Sequence, residues 1–192
     1  MTRRSWPLAL WLLAAAQAAS AQPSETARCR PTNAAAVAAA RHVPAAAFPA
    51  HTGRVVDQAG LLTTAQESAL TQRLEQLERR TGDQLVVVTV PSLRGHDIAA
   101  YGVALGNRWR IGQRGRNNGV LLIVAPNERR VRIEVGYGLE RVLTNARSSE
   151  IIRQDILPHF RDSAFAAGIS AGSRAIVATL IARAHVPRAG GC

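Results

Sequence analysis

The 192-residue sequence predicts an α/β protein, a three-layer α/β/α sandwich whose mostly parallel central sheet carries an antiparallel hairpin. Three observations lead there. Gln84-Leu85-Val86-Val87-Val88-Thr89-Val90 and Val120-Leu121-Leu122-Ile123-Val124-Ala125 are apolar runs without a polar break, the pattern of strands buried on both faces. Helical periodicity separates the strands, and strands alternating with helices build a parallel sheet covered on both sides. Val131-Arg132-Ile133-Glu134-Val135 alternates apolar with polar, and the short Asn127–Arg130 link makes it the antiparallel partner of the run before it.

The first stretch lies outside this unit. Arg3 and Arg4 precede an apolar segment from Leu8 to Ala16, and Ala19-Ser20-Ala21 has the small-x-small form of a signal peptidase site. Residues 1–21 therefore read as a cleaved secretory signal rather than an anchor, since the segment is too short to span a bilayer comfortably. A periplasmic or secreted protein is expected, with no stable transmembrane segment after cleavage. No later segment is expected to approach the length of a transmembrane helix. Residues 22–50, rich in alanine and broken by Pro23, Pro31, Pro44 and Pro49, read as a linker with at most a short helix over Asn33–Arg41. The folded domain is expected over 51–185, with an unstructured tail at 186–192.

Within that domain, Gly53–Asp57 reads as a short edge strand. Thr64 and Glu67 form a capping-box pattern ahead of a helix carrying Leu70, Leu74 and Leu77 on one face. Gly82 is placed to end it in the left-handed conformation. After the first central strand, Pro91 stops the ladder. A helix begins near His96 with Asp97 in its first turn and Ile98, Tyr101, Leu105 and Trp109 facing inward. Arg110–Asn118 is a polar loop. Past Glu140, Ser148–Ile156 reads as a helix broken by Pro158. Asp162 or Ser163 caps a last helix with Phe165, Ile169, Ile176 and Leu180 in a stripe.

Charge and cysteines bound the chemistry. The whole chain carries +11, and loss of Arg3 and Arg4 leaves 22 basic against 13 acidic residues, a net +9. Every basic residue is arginine. Export argues against nucleic acid as a partner and favours an envelope protein or an anionic envelope component; a solvated basic surface with no partner is the other reading. Cys29 and Cys192 are the only cysteines, and an oxidising compartment permits a disulfide between them; two free thiols are the other reading. Neither has the context of a catalytic thiol. His42, His51, His96, His159 and His185 are scattered and form no recognised ligand pair.

Several ordered motifs resemble the TPM domain family: Gly53-Arg54-Val55-Val56-Asp57, Leu61-Leu62-Thr63, the Thr81–Val90 strand, Trp109-Arg110-Ile111-Gly112, Asn118-Gly119-Val120-Leu121-Leu122, Gly136-Tyr137-Gly138-Leu139-Glu140 and Ile156–Phe160. The resemblance covers roughly residues 51–184. It implies a Rossmann-like α/β/α domain of exported and thylakoid-lumen proteins, some described as acid phosphatases, some calcium-binding and some assisting assembly. The relatives' acidic cluster would correspond to Asp57, Glu140 and the position of Asn145. The last is usually aspartate in the family, and glycine usually stands where this chain has Arg141, so a divalent ion would be held less well here.

Asp57, Asn118, Glu140 and Asn145 are oxygen donors at strand ends and loops, the ligand type calcium accepts. They are the candidate metal site; the competing reading makes them turn formers, caps and hydrogen-bond acceptors. Arg114 and Arg116, in the glycine-bearing loop before Asn118, are the candidate anion-binding pair, although the loop lacks GxxxxGK(S/T) spacing and reads equally as a solvated loop with no ligand. No nucleophile is defined. The expected function is thus a cell-envelope binding or assembly module with a calcium site at the sheet edge, the alternative being a weak metal-dependent phosphatase acting on phosphomonoesters.

Overall fold

The computed structural model describes residues 34–184. The signal segment 1–21, Cys29, Cys192 and the tail 186–192 lie outside the described residues.

The sheet has four strands in the order β1-β2-β3-β4. β1 (Val55–Asp57), β2 (Gln84–Thr89) and β3 (Gly119–Ala125) run parallel, and β4 (Arg130–Val135) pairs antiparallel with β3. All seven residues of β3 are buried, as a central strand with helices on both faces requires. Asp57 is level with Thr89 and Val124, while Gln84 is level with Gly119 and Val120 with Val135.

One face of the sheet packs Leu85, Val87, Leu122, Val124 and Ile133 against α2 (Thr64–Thr81), α4 (Asn145–Ile151) and α6 (Phe165–Ala184). The other packs Val56, Val86, Val88, Leu121 and Ile123 under α3 (Ile98–Trp109). The α2 and α3 crossovers step the same way across the sheet yet lie on opposite faces. They must therefore differ in hand, and one departs from the right-handed rule that almost all such units obey.

Several boundaries differ from the sequence expectation. The N-cap of α2 is Thr63, not Thr64: its side chain accepts from Gln66 N while Gln66 reaches back, a capping box one residue earlier. Asp97 is itself the N-cap of α3, accepting from the amides of Ala99 and Ala100. Pro158 does not break the chain's helical path. A π-helical stretch over Ile152–Ile156 follows α4, and α5 (Leu157–Arg161) begins there with Pro158 in its first turn, where a missing N–H costs no bond.

Residues 34–50, expected as linker, are docked instead. α1 (Ala34–Ala40) leads to a 3-10 turn at Ala45–Ala47, and Ala47 is buried in the α3-side core. Tyr101 donates its hydroxyl hydrogen to Ala47 O (3.1 Å), Phe48 meets the Tyr101 ring edge-on, and the Trp109 indole donates to Pro49 O (3.3 Å). Burial pushes the Tyr101 hydroxyl up to about 12, against the opposing charge of Arg94.

The expectation of no further membrane-length segment also needs correction. Phe165–Arg183 has mean hydropathy 1.5 and is long and apolar enough to cross a membrane. A third of it is buried in the core: Ile169, Ile176 and Leu180 are fully buried, and Gly172 lets Ile156 lie against the helix.

Candidate functional site

The polar residues converge where β2 and β3 start and β4 ends. Asn118, just ahead of β3, is 2% exposed. Its Nδ2 donates to Gly82 O (2.7 Å) and Asp83 Oδ1 (3.3 Å), its Oδ1 accepts from Gln113 N (2.8 Å), and its own carbonyl accepts from Gln84 N (3.0 Å). That uses both ends of the amide. Asn118 ties the end of α2 to the loop before β3.

Asp83 is the residue the sequence reading missed. It is fully buried, its Oδ1 accepts from Arg183 Nη2 at the end of α6 (3.1 Å), and its Oδ2 has no partner among the described residues. The signal was present: an acid between a helix-ending glycine and an unbroken apolar strand has to be buried and therefore paired. Gln84 extends the network. Its Nε2 donates to Glu78 Oε1 (2.9 Å) and its Oε1 accepts from Gly112 N (2.7 Å). Burial would raise the Glu78 carboxyl, but hydrogen bonds from Gln84 and Arg54 and the Arg54 charge outweigh it and hold Glu78 below its ordinary value.

The two glycine turns close on each other. Gly136 N donates to Gly119 O (2.8 Å) and Gly138 N to Asn117 O (3.1 Å). A Cβ on Gly136 would collide with Asn117 O and one on Gly138 with Arg116 O, so only glycine allows this approach. The rim shared by the starts and ends of β3 and β4 is therefore real. Beside it, between α3 and the β3–β4 edge, lies a cavity of about 150 Å³ lined in part by Gly102, Gly106, Asn117, Glu134 and Tyr137. Sites for small organic ligands usually measure ~300–1,000 Å³, so it is too small for a typical one.

The four candidate metal ligands do not share this rim. Glu140 follows the 3-10 turn Tyr137–Leu139 that continues β4, so it belongs to the Asn118 end. Asn145 is the exposed first residue of α4, behind its N-cap Thr144. Asp57 lies at the opposite end of the sheet, level with Val124. Six residues of β-structure at ~3.3 Å each put it roughly 20 Å from the level of Asn118, whereas ligands of one calcium ion lie within about 5 Å of each other. Asp57 is also engaged locally: Oδ2 accepts from Leu62 N (2.7 Å) and Oδ1 from the Thr89 hydroxyl, folding the loop that leads into α2. Among the described residues no three His, Cys, Asp or Glu side chains form a metal-holding group.

Arg114 and Arg116 do lie at the Asn118 end, both exposed. Arg116 Nη1 donates to Gln113 Oε1 (2.7 Å), and its guanidinium lies over Gly82.

The family model of the TPM domain matches residues 55–179. Among solved structures, the N-terminal domain of a protein from P. gingivalis is 34% identical, over 79% of this chain and 97% of that one, with a TM-score of 0.67. The BA42 protein of the psychrophilic bacterium Bizionia argentinensis is 20% identical over 62% of this chain and 81% of its own (TM-score 0.54). The N-terminal domain of the cg2496 protein of Corynebacterium glutamicum is 17% identical over 78% and 91% (TM-score 0.51). The last two likenesses concern the fold. Among curated proteins there is no significant match.

Proposed function

We propose that this chain, which belongs to the TPM domain family, serves as a binding module of the cell envelope, its partner an envelope protein or an anionic envelope component. The observation that carries the reading is the separation of Asp57 from Asn118 and Glu140 by the length of the sheet, with Asp57 and Asn118 both engaged in holding loops. A phosphatase centre needs metal ligands and a bound phosphate within a few ångströms of one another; Asp57 and the Arg114–Arg116 loop are at opposite ends. Export, read from residues 1–21, supplies the compartment, and the arginine surplus supplies attraction for anionic partners.

Two measurements on the exported protein test this. Saturable binding to a washed envelope fraction is expected, together with phosphomonoester hydrolysis no faster than that of an Asp57→Ala variant, with or without calcium. Hydrolysis that Asp57→Ala abolishes, or no envelope binding, would overturn the reading in favour of the phosphatase or of neither.

A further inference from the structure

The C-terminal ends of α2, α3 and α6 gather at the same pole. The α2 C-cap Gly82 is bonded to Asn118, the segment leaving α3 returns Ile111 N to Gly106 O and Gly112 N to Gln84, and Arg183 of α6 reaches Asp83 and Gly138 O. Each of these elements ends or continues in arginine. Arg79 and Arg80 close α2, Arg108 and Arg110 close α3, and Arg114 and Arg116 occupy the following loop; all six are exposed. Only Arg79 among them is in an ion pair within the described residues, at 3.6 Å from Glu75. The nearby acids Glu78, Asp83 and Glu134 are paired with Arg54, Arg183 and Arg132. Three helix C-termini contribute about −0.5 charge each and Glu140, at the same end, one more, which six guanidinium groups outweigh.

Tyr137 stands in the same place. At 53% exposure it is the exposed large hydrophobic side chain of the described residues, on the turn that packs against the Arg116 backbone. The pole thus joins an arginine array spread over three elements with an interfacial aromatic; the cavity beside it is lined by Glu134 and no arginine, and the two arginines that line the open depression at the end of α6, Arg147 and Arg183, are paired with Glu150 and Asp83. We infer that this pole docks on an anionic lipid surface, the guanidiniums meeting headgroup phosphates and Tyr137 entering the interface. The inference rests on the envelope-module reading and names its partner.

The test is co-sedimentation of the exported protein with vesicles of phosphatidylglycerol and phosphatidylcholine in equal parts, against pure phosphatidylcholine. Binding to the mixed vesicles alone is expected, weakening as salt shortens the screening length. Each arginine near such a surface strengthens binding about fivefold, so Arg80→Ser with Arg108→Ser and Arg114→Ser should weaken it about a hundredfold. Arg129→Asn with Arg130→Ser and Arg161→Ser removes the same charge around the hairpin turn and the start of α6, at the other end, and should leave it within a few-fold. Melting temperatures of both variants show whether each is folded. Equal loss in the two folded variants, competition by millimolar inorganic phosphate, or no preference for anionic vesicles would overturn the inference. Binding to washed envelope without binding to vesicles would remove the lipid surface and leave the module reading standing; binding to neither would remove both.

Discussion

Asn118 separates a structural role from a ligand role. Asn118→Ala deletes bonds of 2.7 and 2.8 Å and strands Gly82 O and Gln113 N. An unsatisfied buried partner costs about 1–3 kcal/mol, and because Gly82 is half-buried and Gln113 exposed, water replaces part of the loss, so about 1–3 kcal/mol is expected in all, against the ~5–15 kcal/mol that holds an ordinary domain. Asn118→Asp is nearly isosteric and keeps the acceptor for Gln113, but it replaces the donor with a carboxylate oxygen facing Gly82 O and Asp83 Oδ1, the latter 3.3 Å from the present nitrogen. Two like charges at that distance repel by roughly 5 kcal/mol at an effective dielectric of ~20, partly offset by Arg183. The aspartate variant should therefore be the weaker of the two at pH 7. Repulsion and burial would raise the new carboxyl above its unfolded value, so the penalty is smallest at low pH and grows as pH rises through the folded value. Urea unfolding at pH 7 and pH 5, with calcium or with chelator, measures all of this. An aspartate variant as stable as the parent, or one stabilised selectively by calcium, would refute the reasoning and make position 118 a ligand.

Gly138→Ala should cost several kcal/mol by forcing Arg116 O away, while Gly53→Ala, whose Cβ meets nothing within 4 Å, should fall within about 1 kcal/mol of the parent; thermal melts compare them. Glu78 is held below its ordinary 4.5, so its contribution is present above that value and lost as pH falls through the folded one. A Glu78→Gln variant should accordingly lose stability at neutral pH and show a shallower decline on acidification. Tyr101→Phe removes the bond to Ala47 O at a cost of about 1 kcal/mol and should raise amide exchange over residues 43–50 before it does so in β2 and β3.

Much of the fold was legible because it depends on periodicity alone. Val120–Ala125 has no polar break and is the central strand; Arg132 and Glu134 alternate with Ile133 and mark the half-wet edge. Helix ends were less so: Thr63 and Thr64 are chemically equivalent caps, and the chain's path into the helix chooses between them. Docking of residues 34–50 was hidden because its apolar contacts are few and without period, Val43, Ala47 and Phe48, and its hydrogen bonds run through carbonyl oxygens, which carry no sequence pattern. The metal set failed for a reason the sequence did contain. Asp57 closes a parallel strand and Asn118 opens one, so the two lie at opposite ends, while antiparallel β4 returns Glu140 to Asn118. Asp83 escaped notice because a single acid beside an apolar strand resembles a turn residue until Arg183, 100 positions later, is seen against it.

The separation of the two ends of the sheet is measured most directly by pulsed electron resonance between spin labels at the exposed positions Gln58 and Arg114, with Cys29 and Cys192 replaced by serine. A distance on the order of 20–30 Å is predicted from the six-residue offset and the strands between. A distance below about 12 Å would place Asp57 beside the arginine loop and contradict the account.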